Sequence, residues 1–194
     1  MARAKSDDKR TAILEAAVAA FAERGHWATP TAAISKAAGI AEGTLFTYFS
    51  TKDELLDALY RSLKLELAAA VLAGFPRDSG IRDQLQHLWN RYVQWGVAHP
   101  GRCRVMSQLK ASDRVSAATH AAGLEPFAEV EVAVKRSIRR GELRKIPVDL
   151  IASMLGAMAE ATMAGVAQRR SGRKTYRQQG FEMFWNAVRE AHAS

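Results

Sequence analysis

The sequence predicts an all-α protein, with a small amino-terminal module followed by a larger helical bundle. Three observations predict it. Apolar residues recur at the three-to-four spacing of an amphipathic helix in nearly every segment, no stretch sustains the period-two alternation of a strand, and glycine and proline cut the 194 residues into helix-length pieces. A chain of this length buries a real core without covalent staples. Its single cysteine, Cys103, excludes an intrachain disulfide and a multi-cysteine zinc site.

Ser6 is the expected cap of the first helix, with Asp7 and Asp8 where carboxylates suit the helix dipole. Ile13, Ala17, Ala20 and Phe21 form its buried stripe and Gly25 its stop. Thr29-Pro30 signals the second start, because a threonine hydroxyl accepts from end N–H groups and a proline in the first turn forfeits no needed donor. Ala33, Ile34, Ala37 and Ala38 then make a short apolar face ended by Gly39. A third short helix is expected at about 42–48, and Ser50 or Thr51 caps a long fourth one with Leu56, Leu59, Leu63 and Leu67 on one face. Gly74 to Gly80 carries the densest turn signal. Beyond it, helices are expected at about 81–98, closed by His99-Pro100-Gly101, then at 102–110, 113–140 with a break near Gly123 to Pro126, 147–170 and 173–192.

The formal net charge of +8 lies wholly downstream of Glu54, since up to that residue seven Lys/Arg balance seven Asp/Glu. Overall basicity therefore gives the amino-terminal module no claim on nucleic acid. The basic clusters Lys135 to Lys145 and Arg169 to Arg177 fall at helix ends, where cations complement the terminal carbonyls. The first ten residues lack the apolar stretch of a secretory signal. The apolar run Leu150 to Ala159, closed by Glu160, is about half of the ~20 residues a membrane span needs, so a soluble cytoplasmic protein with no membrane partner is expected. Enzyme chemistry finds no footing: Glu23-x-x-His26 is a single Glu-x-x-His where a bundle di-iron site needs two, and Cys103 has His99 nearby but no motif. No catalytic residue, metal site or cofactor is expected.

A helix-turn-helix needs two short helices, a tight turn and small residues where the helices touch. Ala37 and Ala38 permit close approach, Gly39 takes the left-handed turn, and Ile34, Ile40, Leu45 and Phe49 are spaced to share a core. The run TPTAAISKAAGIAEGTLFTYFSTKDELL, within a match from Ala12 to Leu59, then resembles the TetR (tetracycline-repressor-like) family of bacterial transcriptional regulators. The resemblance rests on threonine opening the second helix, the apolar-small-small-Gly turn, Gly-Thr-Leu-aromatic, Tyr-Phe and Lys-x-Glu-Leu.

That resemblance implies a DNA-binding domain over residues 1–52, with its recognition helix at 42–48, and a ligand-binding and dimerisation domain over 53–194. It implies a sequence-specific regulator, a repressor released from its operator by a small hydrophobic or aromatic effector. Tyr48 and Lys52 would contact phosphates, with Thr29 and Thr31 as further backbone contacts. Gly43 would admit the main chain close to the duplex, Thr44 and Thr47 would reach base edges, and Phe46 would contact DNA while packing in part. Two positions depart from the family pattern. Ala41 stands where serine or threonine commonly caps the recognition helix, at a cost of about 1 kcal/mol. Glu42 stands where a basic residue is common; it can accept from a cytosine amine but repels phosphate. Affinity is thus expected to lean on the dimer and on Arg3, Lys5, Lys9 and Arg10 of an amino-terminal arm. The resemblance also implies a homodimer through helices 147–170 and 173–192 and a pseudo-palindromic operator of double-stranded DNA. Trp89, Tyr92, Gln108, Phe127, Met154 and Met158 are the candidate lining of an apolar effector cavity.

Overall fold

The computed structural model describes residues 2–191, with side chains from Asp7 onward. Ten α-helices follow one another among the described residues: α1 (Ala2–Arg24), α2 (Thr31–Ala37), α3 (Glu42–Tyr48), α4 (Lys52–Leu72), α5 (Ile81–Ala98), α6 (Pro100–Lys110), α7 (Ala117–Ala122), α8 (Ala128–Arg139), α9 (Val148–Gln168) and α10 (Arg173–Val188). The all-α expectation is met. The chain forms two compact units, one of residues up to Glu66 together with His99–Glu125, the other of Leu67–Ala98 together with the chain from Pro126 onward.

In the first unit α1 packs against α2 and α6, and α2 against α3. Ile13, Ala17 and Phe21 are fully buried, as their spacing predicts, and meet Ile34, Leu45 and Phe49 in the same core. Helix starts differ from expectation. The backbone is helical from Ala2, so Ser6, whose side chain lies outside the described ones, falls inside α1 rather than at its start. Pro30, in extended conformation, is the residue before α2, with no side-chain cap, because Thr29 turns inward and donates its hydroxyl to the Gly25 carbonyl at 2.8 Å. Thr51 does cap α4: its Oγ1 accepts from the Glu54 N–H at 3.1 Å, while the Glu54 carboxylate accepts from the Ser50 N–H at 2.7 Å, a variant of the capping box. Pro100 opens α6 in its first turn, so the His99-Pro100-Gly101 stop of α5 is also the start of the next helix. The expected 113–140 helix is broken, as predicted near Gly123, into α7, a 3-10 turn at Glu125–Phe127, and α8. It also begins later than expected, at Ala117, with the Ser116 hydroxyl accepting from the Thr119 N–H.

In the second unit α9 packs against α5, α8 and α10. Trp89 of α5 is fully buried at its centre, stacked on Phe184 at 5.9 Å and edge-on to Phe181 at 6.2 Å, with its indole N–H donated to the Arg177 carbonyl. α10 comes this close because residue 180 has no side chain: a Cβ there would lie 2.9 Å from the Trp89 ring and collide with Thr162. Gly180→Ala is therefore expected to cost about 1–3 kcal/mol through overpacking, read as a lower midpoint in thermal or urea unfolding. α10 ends four residues earlier than its pattern suggests. The chain after it pairs with the segment after α8, through an isolated bridge between Leu143 and Arg189, flanked by bonds from Arg144 N–H to Val188 and from Glu190 N–H to Glu142.

α9 is longer and more apolar than the Leu150–Ala159 run suggests. Over 18 residues its mean hydropathy is 1.5, enough by length and composition alone to cross a membrane. Ile151, Ala159, Met163 and Val166 are buried, whereas Ala157, Ala161 and Ala164 are exposed along another flank. At the far end of α9, Arg169 donates to the Gly165 carbonyl and Arg173 to the Arg169 carbonyl, so these members of the basic cluster finish the helix.

Candidate nucleic-acid interface

The turn between α2 and α3 is built by local chemistry. Gly39 has φ +67°, and the N–H groups of Gly39 and Ile40 return to the carbonyls of Lys36 and Ser35, a Schellman closure that satisfies the end of α2. α3 starts at Glu42 behind Ala41, which gives no side-chain cap, as expected. Leu45 and Phe49 anchor α3 inward, at 0% and 2% exposure. The outer face is left to Glu42, Gly43, Phe46 and Thr47, with Thr44 and Tyr48 half-buried beside them. A Cβ at Gly43 would meet nothing within 4 Å, so the backbone there is open to an approaching molecule. Thr47 gives its hydroxyl proton to the Gly43 carbonyl at 3.0 Å.

Four of the expected contact residues hold one another in two pairs. Thr31, the first residue of α2, donates its hydroxyl to Glu42 Oε1 at 2.8 Å, joining the starts of the two helices. Lys52 Nζ donates to the Thr29 carbonyl at 2.7 Å, tying the start of α4 to the loop before α2. Burial, and then the nearby Arg114 charge, pull the Lys52 ammonium below its ordinary value, with Asp53 acting the other way. Thr29 itself is 1% exposed with its hydroxyl committed, so its side chain is a structural element rather than a backbone contact. In the expected arm, Arg3 and Lys5 lie outside the described side chains. Lys9 and Arg10 are helical and exposed, with the Arg10 guanidinium 5.3 Å over the Phe49 ring.

Sequence reasoning missed the buttress behind this face. Arg102 of α6 binds Glu15 of α1 at 2.7 Å and Glu66 of α4 at 3.0 Å, and Arg104 donates to the Ala22 carbonyl. Arg114 pairs with Asp53 at 2.6 Å, and the Ser116 N–H reaches Asp57. No spacing signal marks these partners, which lie from 36 residues apart (Arg102 and Glu66) to 87 (Arg102 and Glu15) in the chain.

His26 sits in the same place, 6% exposed, edge-on to Trp27 and with Nε2 3.2 Å from Ser112 Oγ. Glu23, the other member of the single Glu-x-x-His, is exposed beside Arg24, and among the described residues no group of three His, Cys, Asp or Glu is placed to hold a metal ion. Burial first, then the charges of Lys52 and Arg114, lower the His26 pKa from 6.5, against a smaller opposing effect of Asp113. The unfolded chain thus takes up this proton before the folded one. The contribution of His26 to stability is complete above about pH 6.5 and is lost as pH falls through the lower folded value. Thermal unfolding should show a midpoint that drops between pH 7.5 and 5.5, and a smaller drop in His26→Phe.

Of the six expected effector-lining residues, five fall in the second unit and one, Gln108, in the first. Trp89 is core, as described above. Tyr92 is also buried, its hydroxyl 3.3 Å from Glu160, and Phe127, Met154 and Met158 are half-buried in the same unit. Gln108 belongs to the first unit, on α6, with a buried Oε1 that has no hydrogen-bond partner.

Two short helices closed by a glycine turn, seated on α1 and followed by a larger helical bundle, define a helix-turn-helix protein. The amino-terminal segment matches the TetR family of helix-turn-helix transcriptional regulators in sequence, and the fold is similar to solved members of that family. Residues 13–59 fit the sequence pattern described as bacterial regulatory proteins, tetR family. Over 62 residues the chain is 37% identical to YhgD, an uncharacterized HTH-type transcriptional regulator of Bacillus subtilis, a match spanning 32% of each chain. The matched segment is thus about a third of the length of that relative. The whole fold is similar to a TetR family regulator from Shewanella sp. PV-4, with 27% identity, a TM-score of 0.82 and coverage of 94% of this chain and 99% of that one. It is also similar in fold to the transcriptional regulator FadR of Bacillus subtilis, solved with stearoyl-CoA, at 16% identity, TM-score 0.69 and coverage of 90% and 96%.

Proposed function

We propose that this chain is a sequence-specific DNA-binding transcriptional regulator, a repressor whose paired helix-turn-helix modules grip a pseudo-palindromic operator and let go when a small hydrophobic effector binds. The observation that carries this reading is the α2–turn–α3 unit, anchored by Leu45 and Phe49, with Gly43 and Thr47 outward on α3. DNA contacts are assigned to residues 1–52, and effector binding and pairing to residues 53–194. Lys52, short of solvent and near Arg114, is a cation that gains from an arriving phosphate, with Tyr48 as a further contact to the DNA backbone. Thr44 and Thr47 then meet base edges.

The exposed alanine flank of α9 and the exposed Met183 of α10, at 66%, support pairing through these two helices, which sets two recognition helices on successive major grooves. FadR, similar in fold and solved with stearoyl-CoA, supports a long apolar or lipid-like effector in the second unit. Tyr92, Phe127, Met154 and Met158 are the lining residues proposed there. The protein acts in the cytoplasm, where operator DNA lies.

Fluorescence anisotropy against duplex DNA over a salt series tests the contact assignment. Lys52→Ala should weaken binding to all sequences alike and reduce the salt slope by about one. A preference for one sequence over another that changes with Lys52→Ala contradicts the phosphate role. Acyl-CoA thioesters and aromatic acids should raise the melting temperature and lower operator affinity together; a panel that moves neither contradicts the effector half of the reading.

A further inference from the structure

We infer that Glu42 is a base-reading residue, held in position by Thr31, and that it makes a cytosine the preferred base at one position of each operator half-site. The inference rests on the DNA-binding reading above and deepens it. Glu42 is exposed on the outer face of α3, in the row formed with Gly43, Phe46 and Thr47. A carboxylate is acceptor-only, so against a polyanion it is repelled unless it finds a donor. The floor of the major groove offers two kinds of donor, the amines of cytosine and adenine. The adenine amine has the N7 acceptor beside it, which repels a carboxylate, whereas cytosine presents its amine beside a C–H edge. Guanine and thymine present only acceptors or a methyl group there, so they penalise the same side chain.

An exposed glutamate samples many rotamers, and freezing one on binding opposes affinity. Here the hydroxyl of Thr31 already fixes Oε1 at 2.8 Å, from a residue that is itself rooted at the first turn of α2. One of the carboxylate's roughly four lone-pair sites is used in this way. Thr31 is thus a positioning residue whose hydroxyl proton serves Glu42 rather than a phosphate. The charge that weakens general attraction to the duplex is turned into discrimination between bases.

Selection of bound duplexes from a random pool, with the full chain and three variants, tests this. The wild type should yield a two-fold motif with one strongly preferred cytosine per half-site, by about tenfold over other bases. Glu42→Ala should erase preference at that position alone, closing the about tenfold gap between cytosine-bearing half-sites and the others. Glu42→Gln keeps an acceptor for Thr31 and adds an amide donor, so its preference should move toward adenine. Thr31→Val should keep cytosine but narrow its margin. A two-fold motif unchanged in Glu42→Ala and Glu42→Gln overturns the base-reading role while leaving the DNA-binding reading intact. Loss of affinity for every sequence in both Glu42→Ala and Thr31→Val, with no position altered, shows a latch between helices and also overturns it. No motif at all with the folded wild type overturns both.

Discussion

Phe49→Ala is expected to abolish operator binding by melting the helix-turn-helix while leaving the second unit folded. Phe49 closes α3, with its N–H on the Leu45 carbonyl at 3.0 Å, and its ring is 2% exposed in the core shared with Leu45 and Ile34. Emptying a site of that size costs about 3–5 kcal/mol, a large part of the stability of a typical domain. The Arg10 guanidinium over the ring loses its partner as well. Hydrogen exchange should quicken at the amides of α2 and α3 and stay slow at those of α5, α9 and α10. Phe49→Leu should keep most of the binding. Protection unchanged in α2 and α3 of the alanine variant would mean that this core does not hold the module together.

Ala161→Arg is expected to give a folded monomer that binds operator on the order of 100-fold or more weakly, since the second half-site no longer gains from being tethered to the first. Ala161 lies on the exposed flank of α9 with Ala157 and Ala164, opposite the buried Ile151, Ala159 and Met163. A long cation placed among alanines does not disturb the protomer core, but it cannot be buried against its own image across a two-fold axis. Sedimentation should read the change of mass, and far-UV circular dichroism should be unaltered. A variant that remains a dimer with full operator affinity would move the pairing surface elsewhere.

What was legible in the sequence was what local chemistry dictates. The turn at Gly39 was readable because a left-handed residue closing one helix and opening another leaves a fixed pattern. Leu45 and Phe49 were readable because a four-residue step puts them on one face. The break before α8 was announced by Gly123 and Pro126. What was hidden was settled by partners far along the chain or by competition between near ones. Thr29 looks like a cap, yet the Gly25 carbonyl takes its hydroxyl and leaves Pro30 at the helix boundary. The bond from Thr31 to Glu42 crosses the motif, so a glutamate that reads as a misplaced charge proves to be a held one. Arg102 and Arg114 look like surface cations until α1 and α4 bring their carboxylates to them. Trp89 looks like a ligand platform and is the centre of a closed core, because glycine at 180 lets α10 cover it.

The central claim is that two copies of α3 read one duplex in register. Its most direct measurement is recovery of DNA fragments bound by the full chain from a random pool, with the protein-to-DNA ratio of the complex weighed by sedimentation. The claim predicts a two-fold symmetric motif with half-sites about one helical turn apart, lost in Phe49→Ala and carried by a pair of chains. A folded dimer that enriches no sequence, or a motif without two-fold symmetry bound by a single chain, would contradict it.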